Sequence, residues 1–215
     1  MKKILHICML SLLPMGYAWA DVVSNFANEK NQACKPFVVS DSALFAGSFT
    51  TGSFGGGYNL DDIRMSVVSV SLDATASKPG GKFVVQLWSD SVGTPGSILE
   101  TLTQGTPVSP GIKAFGSSKG TLLNSNTRYW VSVTVQGGND LSVSLEQTNL
   151  KTEISTPSGW TIGDSNFSLV DGTPKIDDAC VPYLKITAVP VPEPSSVALL
   201  GLTGAGLMFL ARRRK

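Results

Sequence analysis

Of the 16 acidic residues that could carry acid–base or metal chemistry, two adjacent pairs stand out. Asp61 and Asp62 are adjacent, as are Asp177 and Asp178, with Asp164 and Asp171 a short way before the second pair. Two carboxylates held about 5 to 9 Å apart across a cleft can hydrolyse a glycosidic bond. Oxygen-rich loops can instead hold Ca²⁺, but neither pair lies in the Asp-x-Asp-x-Asp-Gly register of a dedicated calcium loop. The plainer reading is solvated turn residues. Gly55-Gly56-Gly57 is followed by no Lys-Ser or Lys-Thr and no helical pattern, so it reads as a flexible turn and not as a phosphate loop.

Binding chemistry rests with aromatics. Trp88, Tyr129, Trp130 and Trp160 could stack on sugar rings if exposed on a flat face, with Asn, Gln or Asp bonding the hydroxyls. The competing reading is that large aromatics of a β protein fill its core. Trp130, on the Ser/Thr side of its segment, and Trp160, after Pro157-Ser158-Gly159, are the two expected to be exposed.

The ends of the chain decide which of these groups survive export. MKKILHICMLSLLPMGYAWA has a basic start, an apolar stretch and small residues at Ala18 and Ala20. That pattern is a secretory signal peptide over residues 1–20, with cleavage by signal peptidase expected after Ala20. Cleavage removes His6, the only histidine, and Cys8, leaving Cys34 and Cys180. A chain without histidine cannot build a Ser-His-Asp triad, a Cys-His pair or a histidine metal site.

At the other end, residues 195–211 are uncharged and mostly apolar, and Arg212, Arg213, Arg214 and Lys215 follow. About 17 residues at ~1.5 Å each reach ~25 Å, enough for a thin bilayer. The four cations place the far end in the cytoplasm and the body on the other side. Gly201, Gly204, Ala205 and Gly206 either admit a neighbouring helix or simply face lipid. Before this segment Pro192, Glu193 and Pro194 form an extended stretch carrying one carboxylate, a shape suited to a processing enzyme's groove.

Val-Pro-Glu-Pro, a short Gly-rich apolar segment and a terminal Arg cluster together resemble the PEP-CTERM sorting signal of Gram-negative bacteria. The resemblance covers residues 189–215. It implies recognition of Pro192, Glu193 and Pro194 by an exosortase, a membrane-embedded transpeptidase-like protease. It also implies association with exopolysaccharide and biofilm matrix.

Between the two signals, residues 21–188 suffice for one domain with a substantial core. The formal net charge of the whole chain is +1, and the terminal cations supply much of the positive side, so nothing points to nucleic acid. Tyr129, Val131, Val133 and Val135 alternate with Trp130, Ser132, Thr134 and Gln136, and Leu141, Val143 and Leu145 alternate with Ser142 and Ser144. The Gly-Gly-Asn-Asp stretch between them predicts a hairpin. In NLDDIRMSVVSVSLD the apolar phase switches between Val67 and Val68, which predicts a β-bulge there or burial on both faces. KFVVQLWSD and SILETLT read as strands joined by a Gly/Pro turn over residues 91–96. Weaker strand signals are SALFAGSFTT, GIKAFG, FSLV and YLKITAV. The expected fold class is all-β: an antiparallel, jelly-roll-like β-sandwich.

Cys34 and Cys180 bracket the body, and in an oxidising compartment a disulfide is expected, with two free thiols as the alternative. Pairing requires the first and last strands to be neighbours. YNLDDIRMSV, FVVQLWSDSVGTPGSILETL, NTRYWVSVTV and YLKITAVPVPEP also resemble the choice-of-anchor domains of type R, from about Ala43 to Thr187. Leu87-Trp88-Ser89-Asp90 to Pro95-Gly96-Ser97 is the most specific piece. That resemblance implies an extracellular β-rich domain without catalytic residues. The leading reading is a non-enzymatic exported surface or matrix protein with no catalytic residue, metal or cofactor. A carbohydrate-binding module for exopolysaccharide stands second and a carboxylate-dependent glycosidase third.

Overall fold

A computed structural model describes residues 20–26, 34–104, 109–149, 154–155, 159–177 and 180–193. The signal-peptide reading apart from Ala20, Pro194, the apolar segment 195–211 and the basic end 212–215 lie outside the described residues. Among the described residues every element is a strand, and none is a helix long and apolar enough to cross a membrane.

The strands in chain order are β1 (Asp21–Ser24), β2 (Phe37–Val39), β3 (Ala43–Thr50), β4 (Tyr58–Leu72), β5 (Lys82–Ser91), β6 (Thr94–Gln104), β7 (Gly111–Gly116) and β8 (Leu122–Leu123). They continue with β9 (Arg128–Gln136), β10 (Leu141–Leu145), β11 (Gln147–Thr148), β12 (Ile154–Ser155), β13 (Thr161–Val170), β14 (Thr173–Asp177), β15 (Val181–Pro182) and β16 (Leu184–Pro190). All pairings are antiparallel. One layer runs β14-β13-β3-β9-β5-β6. The other is built around β4, which carries β16 and then β10 along one edge and β8 and then β7 along the other. β1 and β12 lie outside β16, and β2 lies outside β10. β6 joins the layers, because its last residues, Thr103 and Gln104, pair with β7.

The inward residues of both layers meet in one core. Phe45, Phe49, Val85, Leu87, Val131 and Val133 come from one layer; Ile63, Met65, Val67, Phe115, Val143, Leu184 and Ile186 come from the other. Each fully buried aliphatic or aromatic side chain contributes roughly 1.5–3 kcal/mol relative to exposure. The period-2 alternation seen in the sequence is therefore the inside–outside alternation of two facing sheets.

The long strand β4 shows how the pattern is corrected where it slips. Leu145 lies opposite Val67 and Ser144 opposite Ser69, so Val68 is the extra residue of a bulge. It turns outward, 44% exposed, while Val67 is 2% exposed. The expected phase switch is thus a bulge at Val68. A second one went unforeseen: Thr187 pairs with Asp62 and Ala188 with Leu60, leaving Asp61 unpaired. The bulge at Asp61 keeps Tyr58, Leu60, Ile63, Met65 and Val67 all facing the core, and the one at Val68 brings Val70 against it.

The predicted hairpin between residues 128–136 and 141–145 is not formed. β9 pairs with β3 and β5, and β10 pairs with β2 and β4, so residues 137–140 cross from one layer to the other. A Gly-rich turn between two alternating strands serves an arch between sheets as well as a hairpin, and both edges of β9 are already taken. The β5–β6 hairpin is present, with a tighter turn than expected. Val92 (φ 52°) and Gly93 (φ 83°) make a two-residue turn in the left-handed region, and Pro95 already lies opposite Asp90.

Cys34 and Cys180 form a disulfide with Cα atoms 6.0 Å apart across 146 residues of sequence. β1 pairs with β16 over four residues, so the first and last strands are neighbours as the pairing requires.

Candidate functional site

The last strand delivers the Pro-Glu-Pro stretch to a defined place on the body. Pro190, the final residue of β16, lies opposite Tyr58, the first residue of β4. The chain keeps its extended course because Pro190 and Pro192 have fixed φ and no N–H to bend it into another ladder. Between them, the Val191 N–H donates to the Gly57 carbonyl at 2.9 Å. Pro192 and Glu193 are exposed toward solvent. β16 thus runs two residues into the tail drawn from residue 189, and contact with the body continues beyond its end.

The partner of this segment is the turn at residues 54–57. The Gly57 N–H donates to the Phe54 carbonyl at 3.0 Å, and the Phe54 N–H donates to the Tyr58 hydroxyl at 3.1 Å. The Ser125 hydroxyl donates to the Phe54 carbonyl. The Asn126 N–H reaches the Gly52 carbonyl at 2.9 Å, and the Thr51 hydroxyl is tied to Asn124 and Thr127. The triglycine segment is a turn, as expected, and hydrogen bonds tie it on both sides. Tyr58 in turn is buried against Trp160, ring edge to face at 4.7 Å.

The two tryptophans expected on the surface are inside. Trp130 is fully buried, and its indole N–H donates to Asp90 Oδ1 at 2.8 Å. It does lie on the outward face of β9, as the alternation implied. Its neighbours there, Ala46, Ser48 and Ser132, are small and fully or nearly fully buried. Trp160 is also buried, lying parallel to Phe49 with centroids 5.9 Å apart. Gly159, at φ 78°, turns the chain so that the following ring enters the core instead of leaving it. Trp88 is half-buried and donates its N–H to Ser132 Oγ at 2.7 Å. Tyr129 is buried; its hydroxyl accepts from the Asn124 N–H at 2.7 Å, and burial raises its pKa.

Among the described residues the carboxylates do not gather. Asp62 is paired with Arg64 on its own strand at 3.0 Å, while Asp61 sits at the bulge, its carbonyl accepting from Ser117 N–H at 2.8 Å. Asp171, at φ 49°, forms the β13–β14 turn with Gly172 and is exposed. The side chains of Asp164 and Asp177, and the whole of Asp178, lie outside what is described. Among the described residues no group of three or more His, Cys, Asp and Glu is placed to hold a metal ion.

One acidic residue that carries no local signal in the sequence is held by five hydrogen bonds. Glu100, 1% exposed on β6, accepts from Ser117 Oγ (2.8 Å), Ser118 N (2.8 Å), Ser118 Oγ (3.3 Å), Lys119 N (3.1 Å) and Thr121 Oγ1 (2.5 Å). Burial pushes its pKa up, but the hydroxyl and backbone donors outweigh it and hold the carboxyl below its ordinary value. It anchors the loop between β7 and β8. A lone Glu in SILETLT, about twenty residues from its donors, offers no local signal of that role.

Residues 190–215 match the family model described as the PEP-CTERM protein-sorting motif. The matched segment starts at the last residue of β16 and includes the part of the tail that packs on the turn at residues 54–57. No curated protein and no solved structure matches the chain. The motif supports exosortase-dependent sorting of an exported surface protein and a membrane-anchored precursor, and it carries that meaning for the tail alone.

Proposed function

We propose that this chain is a non-enzymatic bacterial surface or matrix protein whose body is a jelly-roll-like β-sandwich of choice-of-anchor type. Signal peptidase removes residues 1–20 after Ala20. The apolar segment 195–211 and the cations Arg212, Arg213, Arg214 and Lys215 hold the precursor in the membrane. An exosortase then reads Pro192, Glu193 and Pro194, and the released body joins an exopolysaccharide matrix.

The observation that carries this reading is the sorting-motif match at residues 190–215, beginning where the last strand ends. A disulfide closing nearly the whole body fits a protein folded in an oxidising compartment. The burial of Trp130 and Trp160 weighs against a module that stacks a sugar on those two rings, and the Asp62–Arg64 pair weighs against a second free acid beside Asp61.

The test is the intact mass of the protein recovered from the native host's envelope and medium, for wild type and for Glu193→Ala. The expected wild-type product lacks the apolar segment and the Arg cluster, whereas the variant stays full-length in the membrane. If both retain Lys215 in the membrane, the tail is a permanent anchor and the sorting reading is wrong.

A further inference from the structure

The triglycine turn fits the tail so closely that side chains are excluded from it. A Cβ on Gly56 would overlap the Val191 carbonyl oxygen and come within 3.3 Å of the Pro192 carbonyl carbon; one on Gly55 would overlap the Glu193 carboxylate. Neither Gly55 nor Gly56 has a positive φ, so backbone conformation does not demand glycine at these two positions. Proximity to residues 191–193 does. The turn is also held in place independently of the tail, by Tyr58 on one side and by Ser125 on the other.

We propose that the turn at residues 54–57 is a docking site for the start of the sorting motif of the same chain, engaging the Val191 backbone and one side of residues 192–193 in a form that the processing enzyme must displace. This rests on the exosortase reading above. An enzyme that binds an extended peptide in a groove needs its backbone edges and alternate side chains. In the docked form the one backbone donor between Pro190 and Pro192, Val191 N–H, is spent on Gly57, and Gly55 and Gly56 lie against one side of residues 191–193 while Pro192 and Glu193 stay exposed on the other. Processing then draws only on the undocked fraction, and the enzyme's apparent affinity falls by that fraction. Because Pro190 is still laddered to Tyr58, the shield exists only once the last strand has joined the body.

The test uses the full-length chain as wild type, Gly56→Ala and Gly116→Ala. Gly116 lies on a strand with open space at its Cβ position and no positive φ, so it controls for the substitution itself. Hydrogen exchange of the isotope-labelled Val191 amide reports docking directly. The expected result is protection in wild type and in Gly116→Ala, and exchange at least about tenfold faster in Gly56→Ala. Tail removal in the host, followed by mass, should be faster for Gly56→Ala than for the other two. If Val191 is unprotected in wild type, or equally protected in Gly56→Ala, docking is refuted. If Val191 is freed but tail removal is no faster, shielding is refuted. If no variant loses its tail while exchange behaves as expected, the sorting reading fails and the docking stands. Should Gly56→Ala not fold, Gly55→Ala, whose Cβ displaces the Glu193 carboxylate and leaves the Val191 bond in place, replaces it for tail removal alone, which should again be faster than in wild type; an unchanged rate would refute shielding.

Discussion

Trp130 donates its indole N–H to Asp90 at 2.8 Å, and the other oxygen of Asp90 accepts the N–H of Gly93 at 3.2 Å. One carboxylate therefore fixes both the ring on β9 and the two-residue turn between β5 and β6. Trp130→Ala should cost about 3–5 kcal/mol, the usual range for emptying a buried aromatic site. Asp90→Ala should cost about 1.5–3 kcal/mol through the bonds to a charged acceptor. Urea midpoints check both values, and acrylamide quenching of Trp130 should be weak in the folded wild type. Strong quenching together with a neutral Trp130→Ala would restore the exposed-platform reading.

The same pair shows what was legible in the sequence and what was not. Strand parity put Trp130 on the face opposite Val131 and Val133, and that placement is right. Parity cannot tell whether an outward face is wet, because that depends on small residues brought alongside from β3, far earlier in the chain. The bulge at Val68 was legible because it breaks a local period. The one at Asp61 was hidden, since charged residues at positions 61 and 62 interrupt the apolar pattern just where its phase shifts. The crowding of Gly56 by Val191 joins residues far apart in sequence, and only the fold brings them together.

The bulge predicts a sharp contrast between neighbours. Val67 is packed in the core and Val68 faces outward, so Val67→Ala should lose about 1–3 kcal/mol, while Val68→Ala should stay within about 0.5 kcal/mol of wild type. Thermal unfolding of the two variants measures it. Equal losses would mean that β4 pairs through this region without the extra residue.

Glu100 predicts the acid limit of the fold. Its folded pKa lies below its ordinary 4.5, so the unfolded chain takes up the proton first as pH falls. The stability it contributes is complete above that value and drains away as pH drops below 4.5 toward the folded pKa. Glu100→Gln should destabilise the protein by about 1.5–3 kcal/mol at neutral pH and flatten the loss of stability under acid. Denaturant unfolding at several pH values from neutral to acid compares the two slopes. Parallel curves would assign the acid sensitivity elsewhere.

The disulfide closes a loop of 146 residues, for which chain entropy alone gives about 5 kcal/mol. Cys34→Ser with Cys180→Ser should lower stability by about 2–5 kcal/mol, seen as an earlier urea midpoint. Reduction of wild type should reproduce the shift and leave the double variant unchanged. A reductant effect of the same size on the double variant would locate the sensitivity outside this bond.

Asp140 explains why residues 137–140 cross between layers instead of folding back. Its carboxylate accepts from Gly81 N–H at 2.6 Å and Gly80 N–H at 3.1 Å, and these two donors hold its pKa below the ordinary value. Asn139 adds bonds to Lys78 in both directions, Asn139 N–H to the Lys78 carbonyl at 2.7 Å and Lys78 N–H to Asn139 Oδ1 at 2.9 Å. The polar residues that looked like a hairpin turn are therefore spent on the loop before β5, and they pin β10 to the layer opposite β9. Asp140→Ala should leave the core strands protected while amide exchange and proteolysis rise at residues 78–81. Lowering the pH through the Asp140 pKa should imitate that local opening in wild type and change nothing further in the variant. If exchange instead rises uniformly along β9 and β10, the contact is part of the global fold and not a local latch.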